Sequence, residues 1–132
     1  MELGEDTEDV VGVIVLCKGK ILLVRGTSGK WSFPKGRRRE NESPLEGAIR
    51  EAREEAGIDL KGVPPALTML LRYGTYFLYD FKERPELAEP LTPEEILEIG
   101  WKNYKSLKGH DKNADLRFYL KTTNPKNLKH WR

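Results

Sequence analysis

Residues 36–58 read GRRRENESPLEGAIREAREEAGI, and this stretch decides the fold. Its second half carries a full set of helix boundary signals. Ser43 suits an N-cap and Pro44 the first helical position. Glu46 completes a capping box, and Gly57 suits the residue just past the end. Leu45, Ala48, Ile49, Ala52 and Ala56 recur at helical spacing and form an apolar stripe. At about 100° per residue the stripe centres on Leu45 and Ala56, and Glu51, Glu54 and Glu55 fall on one flank of it. Such a helix packs on a sheet, its small alanines allowing close approach, and aims its carboxylates into a cleft at the packing edge. Clustered carboxylates repel one another unless a cation sits between them. Their hard oxygens suit Mg²⁺ or Mn²⁺. An acidic helix face is also a common solvated surface, so the neighbouring residues carry the decision.

Immediately upstream, residues 31–36 read WSFPKG. Pro34 fixes its own φ and biases Phe33 towards an extended backbone. Gly36 permits a left-handed backbone or a close approach to a ligand. Trp31 and Phe33 are open to core packing or to the site. Lys35, in a tight loop beside the acidic helix, is placed for a phosphate. Arg37, Arg38 and Arg39 read as a basic loop, either a solvated turn or a contact for a polyphosphate or nucleic-acid backbone.

Further upstream, residues 1–8 read as a loose lead-in. Residues 10–17 (VVGVIVLC) read as a buried strand and 21–24 as its hairpin partner. Residues 26–30 read as a loop. Downstream of the helix, residues 66–73 (ALTMLLRY) and 75–81 (TYFLYDF) read as two strands joined at Gly74, with a helical alternative for the first. Alternation along TYFLYDF places Tyr76 and Leu78 on one face and Phe77, Tyr79 and Phe81 on the other. One of these faces is expected in the core and the other is free to line a cleft. Residues 82–92 read as a loop, 94–102 as a strand and 111–121 as a second helix with Leu116, Tyr119 and Leu120 on its apolar side. Residues 122–132 are too irregular to assign.

The 132 residues suit one domain, 1–132, around a single core. A hydrophobic fraction of 38% and a charged fraction of 33% fit a soluble globular protein. A net charge of +2 gives no bulk argument for nucleic-acid binding. The charge is uneven, however: Glu2, Glu5, Asp6, Glu8 and Asp9 open the chain, and Lys121, Lys126, Lys129 and Arg132 close it. Cys17 is the only cysteine, which excludes an intrachain disulfide and a cysteine metal cluster and fits a reducing cytoplasm. No apolar run is long enough to cross a membrane.

Gly36, Glu42, Arg50-Glu51, Ala52, Glu54-Glu55, Gly57 and Ile58 match G-x5-E-x7-R-E-U-x-E-E-x-G-U, where U is a bulky aliphatic. Only Ala52 is smaller than usual. This pattern resembles the Nudix box of the Nudix hydrolase superfamily, over residues 36–58. The resemblance implies an α/β/α sandwich around a mixed β-sheet, with the box as loop–helix–loop. It also implies Mg²⁺- or Mn²⁺-dependent hydrolysis of a nucleoside diphosphate linked to another group X. Glu51, Glu54 and Glu55 would be metal ligands, joined by the Gly36 carbonyl. Glu42 and Arg50 would be supporting residues, Arg50 orienting a box glutamate, and Gly57 would end the helix. The chemistry agrees: a pyrophosphate bridge repels a water nucleophile, and divalent ions relieve that charge and acidify bound water.

In several Nudix subfamilies a glutamate before the strand that ends in tryptophan serves as a ligand or base. Glu95, upstream of Trp101, resembles it best, with Glu94 and Glu98 as competitors and Glu55 as a second candidate base. WSFPKG is similar to the lead-in of asymmetric diadenosine tetraphosphate hydrolases, which form ATP and AMP. Related lead-ins occur in mRNA-decapping and diphosphoinositol polyphosphate enzymes. Nucleoside triphosphates and ADP-ribose are further alternatives, and a 5′ RNA end is a possible partner. Lys35 and Arg37 to Arg39 are candidates for the phosphates. Tyr73, Tyr76, Tyr79 and Tyr119 are candidates for stacking a base, and His110 for a polyphosphate contact. A non-catalytic nucleotide-binding domain is the alternative of another class; such domains usually lose box glutamates, and these are present. Oligomeric state is not legible.

Overall fold

A computed structural model describes residues 4–123. The basic tail residues Lys126, Lys129 and Arg132 lie outside the described residues. The chain begins with β1 (Asp6–Cys17) and β2 (Lys20–Gly26), the expected hairpin, then β3 (Trp31–Ser32) and β4 (Lys35–Arg39). The helix α1 (Pro44–Ala56) follows, then β5 (Leu67–Leu70), β6 (Gly74–Phe81) and β7 (Ile96–Lys102). A short α2 (Tyr104–Leu107) and α3 (Ala114–Thr123) complete it.

The strands form one seven-stranded mixed sheet. β1 runs parallel to β6, from Val10 opposite Gly74 to Cys17 opposite Phe81. It runs antiparallel to β4 through its first half and meets β2 at its end. β2 in turn carries β7 and β3, both antiparallel. Val11, Val13 and Val15 of β1 pack with Phe77, Tyr79 and the α1 alanines Ala48, Ala52 and Ala56. Ile14 faces the other way and packs with Tyr76, Phe33, Leu107, Leu116 and Tyr119. Helices therefore cover both faces of the sheet, the layered α/β/α arrangement expected.

Several expectations need correction. Arg37, Arg38 and Arg39 are not a loop but a strand, paired with β1 with Arg39 opposite Asp6 and Arg37 opposite Val10. By the same pairing β1 starts at Asp6, inside the stretch read as a loose lead-in. Both strand ends are polar, so composition hides them. They are held by backbone pairing, by Thr7 Oγ1 donating to Arg38 O at 2.8 Å, and by Arg38 against Asp9 at 2.8 Å. The strand expected over 66–73 is shorter, because the chain turns back with Leu71 N donating to Gly74 O at 2.9 Å. The helix expected from 111 starts at Ala114, where Asn113 Oδ1 accepts the Leu116 amide at 3.0 Å in the manner of an N-cap.

The alternation along β6 is as expected, but no face of it is left for a cleft. With β1 on one side, β5 on the other and helices on both faces, Tyr76 is 0% and Tyr79 2% exposed. Trp31 and Phe33 are core residues, and Phe33 meets the Tyr119 ring edge-on at 5.4 Å.

Candidate active site

The helix α1 is built at both ends as its sequence predicts. Ser43 Oγ accepts the Glu46 amide at 3.1 Å while Glu46 Oε1 accepts the Ser43 amide at 2.8 Å. Gly57 is left-handed, with φ 68° and ψ 17°. The alanine stripe lays the helix on the sheet, and its acidic flank meets Lys35 and Gly36 at the start of β4.

Arg50 is the hub of that flank. Its Nε and Nη2 hold both oxygens of Glu42, with Nη2 at 3.0 Å. Its Nη1 donates to Glu51 at 2.7 Å and to Glu54 at 3.2 Å, and Nη2 also reaches Arg37 O at 3.0 Å. A fork donating to three carboxylates holds them in a fixed geometry. Glu42 also accepts the Arg39 amide at 2.9 Å, which ties β4 to the helix.

Glu51 is buried against Gly36. A Cβ at residue 36 would lie 2.2 Å from the Glu51 carboxylate carbon, so only glycine permits this approach. Burial pushes the Glu51 carboxyl up, against the pull of the Arg50 guanidinium. Glu55 accepts the Lys35 amide at 3.1 Å. Burial, reinforced by the charges of Glu51 and Glu95, pushes Glu55 up to about 7 in spite of that amide and the Lys35 charge. Glu55 and Glu95 line one cleft of about 230 Å³ with Lys35, Ser32, Lys30 and Asn113.

Glu51, Glu54, Glu55, Arg50, Glu42, Gly36 and Lys35 are thus brought together, and Glu95 lines a cleft with Glu55 and Lys35. Arg37 is exposed and faces Glu8 at 3.9 Å. Arg38 is engaged by Asp9 and by the Glu42 carbonyl at 2.9 Å. None of the three arginines lines the cleft with Glu55. Tyr76 is a core residue whose hydroxyl donates to buried Asp115 at 2.8 Å. Neither Tyr76 nor Tyr79 offers a ring to a base. Tyr119 is buried, and Tyr73 is exposed beside a different groove. His110 lies in a third cleft with Arg25 and Lys102. Ser32 and Asn113 were not expected in the site. Neither carries a local signal, because the bridge that joins Trp31 to Lys112 is long-range.

Among the described residues, no three acidic, histidine or cysteine side chains converge in ligating geometry. The donor set nevertheless fits a hard divalent ion. Its oxygens are carboxylates, Glu51 buried and Glu55 half-buried, with burial opposing the charged form of each, and the Arg50 guanidinium bonds both Glu51 and Glu54.

Comparison with known proteins gives the family. The NUDIX domain family model matches residues 6–121. The chain belongs to the Nudix family. The mRNA-decapping enzyme subunit 2 of Saccharomyces cerevisiae is 29% identical over 125 residues, 85% of this chain and 12% of that protein. The 8-oxo-dGDP phosphatase NUDT18 of Danio rerio is 33% identical over 115 residues, 77% of this chain and 35% of that protein. The chain therefore spans only a minor part of these two Nudix relatives. A C. elegans Ap4A hydrolase, solved as a binary complex, aligns with TM-score 0.63 at 19% identity, covering 86% of this chain and 94% of that one. At that identity the likeness shows a shared Nudix fold. No helix among the described residues is long and apolar enough to cross a membrane.

Proposed function

We propose that this Nudix domain is a divalent-metal-dependent hydrolase of phosphoanhydride bonds. Its substrate is a nucleoside diphosphate joined to a second group, with dinucleoside polyphosphates such as diadenosine tetraphosphate, cut to ATP and AMP, as the leading class. One observation carries the reading: Glu55 and Glu95 share a cleft with Lys35, beside an Arg50-bound carboxylate cluster.

Glu51, Glu54 and Glu55, with the Gly36 carbonyl, would hold Mg²⁺ or Mn²⁺, which when bound neutralises bridging phosphate charge and acidifies a water. Arg50 fixes Glu51 and Glu54 in place. Lys35 contributes a cationic side chain for the phosphates beyond the scissile bond. Glu95, which lines the cleft with Glu55, is the candidate base that takes the proton of the attacking water, and Glu55 is the alternative. Base recognition falls to residues other than Tyr76 and Tyr79.

Glu55→Gln is expected to abolish turnover while leaving the fold intact by circular dichroism; full activity would exclude the mechanism. The assay is a panel with Mg²⁺ and with Mn²⁺, products identified by mass. It contains diadenosine polyphosphates, nucleoside triphosphates, ADP-ribose, diphosphoinositol phosphates and 5′-capped and 5′-triphosphate RNA. A second reading, hydrolysis at an RNA 5′ end, is favoured by the decapping relative and by exposed Arg37. It requires release from RNA to outpace release from diadenosine tetraphosphate.

A further inference from the structure

The last carbonyls of α1 lack partners within the helix. The loop between β6 and β7 supplies some of them. Ala88 N donates to Gly57 O at 2.8 Å. Leu91 N donates to Glu54 O at 2.8 Å and Thr92 N donates to the same oxygen at 3.2 Å. The Thr92 hydroxyl adds a third donor to it, also at 3.2 Å. At residue 57 the loop lies so close that a Cβ would stand 1.8 Å from Ala88 O. The loop is thus strapped across the end of the catalytic helix.

The strap ends in a tight turn. Glu95 N donates to Thr92 O at 3.0 Å, spanning Pro93 and Glu94. Proline at the second position of a four-residue turn has its φ already set. Thr92 therefore sits at a junction. Its amide and hydroxyl grip the main chain of Glu54, one residue from Glu55, and its carbonyl anchors Glu95. From these contacts we propose that Thr92 is a positioning residue that sets the distance between Glu95 and the carboxylates of α1. The inference rests on the proposed hydrolase activity.

Thr92→Val keeps the side-chain volume and both backbone bonds but removes the hydroxyl. Thr92→Ser keeps the hydroxyl. In the full chain with Mg²⁺, on whichever panel substrate is turned over fastest, Thr92→Val is expected to lower kcat about three- to tenfold. KM should change less than twofold, and Thr92→Ser should restore kcat to within about twofold. Hydrogen exchange of the Glu95 amide supplies the readout that turnover cannot. Protection should fall in Thr92→Val and return in Thr92→Ser. Unchanged kcat, a loss that serine does not restore, or undiminished Glu95 protection in Thr92→Val each overturns the positioning role alone. Absence of turnover by the unsubstituted chain on every panel member overturns the hydrolase reading, and the positioning role with it.

Discussion

Gly36 and Glu51 define the tightest contact in the site. Gly36→Ala forces the carboxylate or the strand to move, at a cost of about 1–3 kcal/mol. We expect lowered stability in urea together with at least tenfold lower kcat, since the displaced Glu51 also leaves Arg50. Glu42 gives a separate handle. Burial would push its carboxyl up, but the Arg50 guanidinium and the Arg39 amide outweigh this and hold it below the ordinary 4.5. The unfolded chain therefore binds the proton more readily than the folded one. Stability from this pair is fully present above about pH 5 and is lost as pH falls through the depressed folded value. Urea melts across acidic pH should show a shallower acid limb for Glu42→Gln. Part of this scale is legible: helical spacing places Glu51, Glu54 and Glu55 on one flank of α1, while Glu42 and Arg50 join them only through the resemblance to the Nudix box. The tyrosines are not, because a ring on a strand reads the same whether one face of the sheet is covered or both.

Element boundaries follow the same division. The signals at Ser43, Pro44, Glu46 and Gly57 are local, and α1 obeys them. Ser43→Ala should cost about 1 kcal/mol, read as a lower urea midpoint with unchanged slope. β4 reads as a loop in the sequence because its three arginines look solvated. What makes it a strand is its distant partner, and the acids that neutralise it sit in β1. The strap was equally silent in the sequence. A polar, proline-punctuated run announces a loop, and nothing local says that it will dock on a helix end.

For the whole molecule, the apolar run of β1 and the apolar stripe on α1 are readable from the residues, whereas the layered α/β/α arrangement is implied only by the resemblance to the Nudix box. The joint between the sheet and α3 is legible in neither. Asp115, 2% exposed, accepts the Tyr76 hydroxyl at 2.8 Å and the Tyr73 amide at 2.9 Å. Asp115→Leu strands both donors, and calorimetry should show a loss of about 2–4 kcal/mol. A test of the carboxylate cluster needs no substrate. Mg²⁺ at a hundred times its dissociation constant should add about 2.7 kcal/mol to stability, seen as a raised Tm. Glu51→Gln with Glu55→Gln should remove that rise; its persistence would place the ion elsewhere.

The parallel pairing of β1 with β6 bears on how the chain is born. Val10 faces Gly74 and Cys17 faces Phe81, so β1 waits for a strand made far later in synthesis. Until Phe81 clears the ribosome, VVGVIVLC has a hairpin neighbour on one edge and none on the other. Contacts of such sequence separation close slowly, and an unpaired apolar edge in the interval invites association with other nascent chains. Slowing translation once Phe81 has emerged gives the sheet time to close; slowing it earlier prolongs the exposure. Soluble yield from transcripts that pause before and after Phe81 emerges should differ accordingly.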